Sequence, residues 1–340
     1  MITTTLLATL LVSAGIQAER SPEAPADKLV GPMRLVIRMD EDLFTLFSAL
    51  NALGYSRETN HGGPPLEASV FHPIRVRVRE AVQKSSRTPS AKRLSSLVAA
   101  HPDPVEVYAE AALGGARGAG LSPKAAALSE LVPTLRMFRA EAGLRALFDG
   151  LADEQRSLAR NLMKDAGRDL EAASKIVGED VTFPPGTVVL PNWLDAQDEV
   201  RLVETKGERY LVVGASLVPA RRAILLTAIR PLTRVWVDGA FRGAKKFQAE
   251  WNALSRSSSI VKRFGDPRAY LSEVLAQAIA HRAMVENTAA GDEAFIESTS
   301  REGLLWIRSA LALLDASAKN SGKTFGQMLP MLLPRHGPGR

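Results

Sequence analysis

A chain of 340 residues, 46% hydrophobic and 24% charged, is long enough to bury a real core and too evenly mixed to be disordered or fibrous. It has no cysteine, which excludes disulfides, thiolate metal sites, a cysteine nucleophile and a lipidated cysteine anchor. Its net charge of +6 is spread among interspersed acids and bases, without the dense basic stripe and interleaved aromatics of a nucleic-acid binder, so no nucleic-acid partner is expected.

Residues 1–18, MITTTLLATLLVSAGIQA, carry no charged side chain and hold an apolar run over 6–16. The run and the closing Ile16-Gln17-Ala18 predict a signal peptide cut after Ala18, although no Lys or Arg precedes the run, and hence a periplasmic or secreted protein. Residues 19–32 are polar and proline-rich and read as a linker. No later segment has the apolar length of a membrane span, so no integral membrane segment is expected after signal cleavage.

Residues 33–39, MRLVIRM, alternate apolar and basic side chains as a half-buried strand does. Asp40, Glu41 and Asp42 then suit the start of a helix whose apolar face is Leu43, Phe44, Leu46, Phe47 and Leu50, and which Gly54 ends. His61-Gly62-Gly63-Pro64-Pro65 is a loop, and Pro73 opens a helix carrying Arg75, Arg77 and Arg79. Further helical patterns cover 91–100, 105–113, 125–151 and 154–177. The glycine run at 114–120 follows no strand and lacks the GK[ST] of a phosphate cradle, so it reads as a loop.

Two short strands, 187–190 and 210–213, are expected on either side of a polar turn around Gly207. A strongly apolar helix follows over 220–237, with Ile224, Leu225, Ala228, Ile229, Leu232 and Trp236 forming a wide buried surface and Pro231 removing one backbone hydrogen bond. Helices at 247–254, 267–286, 302–316 and 324–333 complete the chain, and 334–340 reads as a disordered tail. The expected fold is α+β and predominantly α-helical, a single domain over 33–333 with a small β-sheet packed against helices.

Chemistry-bearing patterns are sparse. No two of His61, His72, His101, His281 and His336 stand at the i, i+4 spacing that aims two imidazoles at one metal, and His281 reads as a satisfied or exposed histidine. Gly214-Ala215-Ser216 lacks the second glycine of a nucleophile elbow, so Ser216 reads as a helix cap. Asp195 and Asp198 read as a polar turn.

Four stretches nevertheless carry a resemblance: DEDLFTLFSALNALGYSRE, FRAEAGLRALFDGL, PNWLDAQDEVRLVETKGERYLVVGAS and DPRAYLSEVLAQAIAHRAM. They resemble segments of exported bacterial proteins of gluzincin-like pattern, in which a strand pair precedes a helix bearing a motif like HExLHP and a later helix supplies a glutamate ligand. The resemblance spans most of 33–333 and implies a zincin-like core. The motif's counterpart here is Leu226-Thr227-Ala228-Ile229-Arg230-Pro231, aligned on the shared proline. On that register the ligand histidines are replaced by Leu226 and Arg230, the general base by Thr227, and Glu273 stands at the third-ligand position.

Leucine does not ligate, arginine repels a cation, and one carboxylate does not hold catalytic zinc. The resemblance therefore implies a non-catalytic protein with no metal and no other cofactor, whose former cleft takes a peptide or protein partner. It further implies that Arg230 fills the vacated metal position and pairs with Glu273. Two other readings stay open: a hydrolase with a rearranged site in the same cleft, and a helical scaffold or interaction module unrelated to zincins, in which no sheet would lie beside 220–237.

Overall fold

Asp40 sits between the first parallel strand and the first helix, and its carboxylate accepts hydrogen bonds from the Asp42 and Leu43 amides at 3.1 and 3.0 Å. That cap fixes the start of α1 (Glu41–Ala52), whose five expected apolar positions are all buried. A computed structural model describes residues 27–28, 36–53, 72–115, 120–195, 199–243, 264, 266–284, 289–318 and 322–332. The signal peptide 1–18, Gly54, the loop from His61 to Pro65, most of the glycine run, Asp198, the helix at 247–254, His336 and the tail 334–340 lie outside the described residues.

His72 caps α2 (Pro73–Val82), its Nδ1 accepting from the Ile74 amide at 3.2 Å, with Pro73 in the first turn where its missing N–H costs nothing. Thr88 caps α3 (Pro89–Ala100) in the same way, and α4 spans Val105–Gly115. The single helix expected over 125–151 is instead broken twice. It comprises α5 (Pro123–Ala127), α6 (Leu131–Glu141) and the start of α7 (Leu144–Val177). Gly143, with φ +62°, makes the second break. Conversely, the gap expected between 151 and 154 is absent: α7 is one helix of 34 residues, about 50 Å long at 1.5 Å per residue.

The sheet has strand order β1-β2-β3-β5-β4, built from β1 (Asp27–Lys28), β2 (Val36–Ile37), β3 (Thr187–Pro191), β4 (Val200–Thr205) and β5 (Glu208–Val213). β1 lies inside the expected linker and pairs antiparallel with β2. The two strands expected around Gly207 are parallel neighbours, with Val188 opposite Tyr210, and β2 runs parallel to β3 on its other side. The antiparallel partner of β5 is β4, which the sequence does not reveal because one of its two inward positions is Arg201, not an apolar residue.

Among the described residues, four helices follow the sheet, α8 (Leu217–Gly243), α9 (Pro267–Met284), α10 (Ala289–Arg301) and α11 (Ile307–Ala318), and then the short α12 (Phe325–Leu332). α8 continues through Pro231. α10 is not expected from the sequence, and α11 begins five residues later than the expected start at 302. The chain is thus mostly helical with one small mixed sheet. Among the described residues no helix is long and apolar enough to cross a membrane.

Strand alternation divides the interior. Val188, Leu190, Tyr210 and Val212 face the core made by α1 to α6, while Val189, Leu211 and Val213 face Ala159, Met163 and Ile224 on α7 and α8. A third core joins α8, α9, α11 and α12. α7 contributes to all three, with Phe148 and Leu151 in the first, Leu162 and Ala166 in the second, and Leu170 and Ala173 in the third.

Candidate functional site

α8 and α9 lie against each other, and the four residues singled out by the resemblance sit on these two helices. Leu226 is buried in the third core. Thr227 is half-buried and donates its hydroxyl to the Ala223 carbonyl at 2.8 Å, one turn back on its own helix. Arg230, one turn beyond Leu226, is where the buried face of α8 reaches solvent. Its Nε and Nη2 donate to Glu273 Oε2 and Oε1, each at 2.8 Å, a two-pronged bond that matches the planar guanidinium to the carboxylate.

Two further residues complete the arrangement. Gln277, one turn along α9, donates Nε2 to Glu273 Oε1 at 2.8 Å and accepts from Arg222 Nε and Nη2 at 3.0 and 2.6 Å. Arg222 in turn lies over the Phe295 ring of α10, 5.1 Å from its centre. The line Arg230–Glu273–Gln277–Arg222 therefore holds two guanidinium groups and one carboxylate. Burial pushes the Glu273 carboxyl up, but the Arg230 guanidinium and the Gln277 amide outweigh it and hold the group below the usual glutamate range. Burial draws Arg222 down, against the attraction of Glu302 and Glu273 and with repulsion from Arg230. The Glu273–Gln277 spacing of one helical turn is legible in the sequence. The part of Arg222, two turns before Arg230, is not, because it depends on how α8 and α9 cross.

The other candidates have structural roles. His281 Nε2 hydrogen-bonds to Asp292 Oδ1 at 2.9 Å, and its ring stacks on Phe295 with centroids 3.9 Å apart. His72 caps α2 and stacks on Trp193, and the His101 carbonyl accepts the Tyr108 hydroxyl. The Ser216 carbonyl accepts the Ala220 amide at 3.1 Å where α8 opens. Among the described residues no three His, Asp or Glu side chains are placed to hold a metal ion.

Asp195 lies in a turn, as expected, and its side chain is buried there. Arg201 on β4 grips it through Nε–Oδ2 at 2.7 Å and Nη2–Oδ1 at 3.1 Å, and reaches Glu106 on α4 at 2.8 Å. The Asp195 carbonyl accepts Arg75 Nη1 at 3.0 Å, and Arg75 Nε donates to Asn51, which also ties α1 to the Leu194 carbonyl. Burial alone draws Arg201 down, and the Asp195 and Glu106 carboxylates reverse this and raise it. This network locks the turn after β3 to α1, α2 and α4. It is a framework rather than a reactive group.

Comparison with protein-family models, curated proteins and solved structures gives no match.

Proposed function

We propose that this is a non-catalytic, metallopeptidase-like exported protein that acts by binding a peptide or protein partner at the cleft beside α8 and α9. The observation that carries the reading is the two-pronged bond from Arg230 to Glu273. A carboxylate that the resemblance assigns to a zinc ion is neutralised here by a permanent side-chain cation, which offers no coordination position to a water molecule and no titratable proton. Thr227, at the place of the general base, turns its hydroxyl back to its own helix. α8 also packs against β4 and β5, which favours this reading over a helical array without a sheet beside it.

The test has two parts. The natural chain is incubated with a peptide library with and without chelator, and no hydrolysis is expected; cleavage abolished by chelator would overturn the non-catalytic reading. A Leu226→His/Thr227→Glu/Arg230→His variant, shown to be folded by circular dichroism, is expected to take up one zinc ion with Glu273 as third protein ligand. A folded variant that takes up none would show that these positions do not converge on a former metal site.

A further inference from the structure

The last buried residue that α7 gives the first core is Leu151, with the half-buried Leu158 still packed at its edge, and its first in the second core is Ala159. Between the two it passes the carboxyl end of β2, and at this crossing its inward positions are Ala152, Gln155 and Ala159 rather than large apolar residues. The small side chains leave a cavity of about 50 Å³ against Ile37, Arg38 and Met39. By the same measure one water needs roughly 10–15 Å³, so the space admits a small organic group.

The lining has a one-sided chemistry. It contains three arginines, Arg38, Arg156 and Arg160, and no carboxylate. Nε and Nη2 of Arg38 are buried without a hydrogen-bond partner among the described residues, and its ion pair to Asp40 is long, at 3.8 Å. Asp40 Oδ1 is engaged by the first-turn amides of α1. Gln155 is 2% exposed, and its Nε2 also has no hydrogen-bond partner among the described residues. Among the described residues Arg156 reaches only Asp153, an almost fully exposed carboxylate one turn back, and Arg160 is exposed. Buried donors without acceptors are uncommon in folded proteins; among the described residues they also occur on Asn192, Trp193 and Arg282, but those of Arg38, whose guanidinium lies over the Tyr210 ring, and of Gln155 border this one cavity. The rest of the wall is apolar, from Met39, Phe148 and Met163. The cavity borders the carboxyl end of β2, between that strand and α7.

We infer that this cleft binds a small organic carboxylate, its acid group held by Arg38, Gln155 and Arg160 and its short apolar body laid against Met39, Phe148 and Met163. Guanidinium groups match the two oxygens of a carboxylate, and the apolar wall distinguishes such a ligand from an inorganic anion. The inference is independent of the reading of α8 and α9.

Calorimetric titration of the full chain with sodium hexanoate tests it, with hexanol, acetate and butylphosphonate as controls at one ionic strength. Hexanoate is expected to bind saturably at one site, at least tenfold tighter than hexanol, which lacks the charge, and than acetate, which lacks the body. Arg160→Gln, at an exposed position, is expected to weaken it severalfold, and Ala152→Phe, which fills the cavity, to abolish it, with unchanged circular dichroism in both. Hexanoate binding no tighter than either control, or binding unchanged in both variants, overturns the site. Tighter binding of butylphosphonate overturns the choice of a carboxylate.

Discussion

Arg201 and Arg230 each grip a carboxylate with two N–H groups, but water reaches the second pair and not the first. The Asp195 and Arg201 side chains are 1% and 8% exposed, whereas that of Arg230 is 49% exposed. Removing one partner of a buried pair strands the other charge in a medium that solvates it poorly, at a cost of about 3–5 kcal/mol. Asp195→Asn is expected near the lower end, because Glu106 and Glu199 still face Arg201. Arg230→Gln removes a half-exposed partner, and a cost up to about 1 kcal/mol is expected. Urea denaturation of the two variants measures both. Equal costs would make the α8–α9 pair part of the structural framework and remove the reason to assign it a binding role. The sequence brings Arg230 and Glu273 together only through the resemblance, since nothing local links residues on separate helices. It cannot suggest Asp195 and Arg201, because that pairing requires knowing that the chain leaving β3 passes beyond β5 to form β4 on its far side.

Element by element, the sequence is most legible where a cap and an apolar stripe coincide. Asp40 and His72 with Pro73 each start a helix where the side chains say one should start, while Thr88 with Pro89 starts α3 two residues before the expected 91. It is least legible where a polar residue sits inside. Gln155 and Asp169 interrupt the apolar stripe of α7 while remaining buried, and Arg201 does the same to β4. α10 escapes notice because its hold on α9 is largely polar. Asp292 accepts from His281 and from Arg282, and Phe295 lies between the His281 ring and Arg222. This hold is expected to depend on pH. Burial lowers the His281 pKa, opposed by Asp292 and reinforced by the neighbouring Arg282 and Arg222, so the imidazole is held neutral and donates its Nε2 proton to Asp292. Arg282 in turn keeps Asp292 ionised below the usual aspartate range. Between the ordinary histidine pKa of about 6.5 and the lower folded value, the unfolded chain binds more protons than the folded one. The contribution of His281 is therefore complete above that ordinary value and is lost as pH falls through the folded one. Urea stability measured at pH 7 and pH 5 should fall more steeply for the natural chain than for His281→Gln. Parallel slopes would show that α10 is held by packing alone.

For the molecule as a whole, the question is whether three cores make three bodies. The N-terminal helices and the C-terminal helices bury separate sets of apolar side chains, and chains of this size often unfold in stages. Against that stands α7, which lends one uninterrupted helix to every core, and the sheet, which has one face in the first core and the other in the second. If either end core melted alone, a third of the apolar stripe of α7 would be exposed while the rest held the helix in place, so the intermediate would lose burial without gaining the full entropy of the free chain. One concerted transition is therefore expected. Trp193 lies in the first core and Trp306 in the third, each 5% exposed, so each reports on its own end. Variants that keep only one of these two tryptophans, with the others replaced by phenylalanine, should give far-ultraviolet dichroism and fluorescence midpoints that coincide within each variant. Separated midpoints would mean that α7 frays between Leu151 and Ala159, where its small residues cross the end of β2. Because the proposed carboxylate cleft is lined from the first and second cores and by no residue of the third, hexanoate should in that case raise the midpoint reported by Trp193 and leave that reported by Trp306 unchanged.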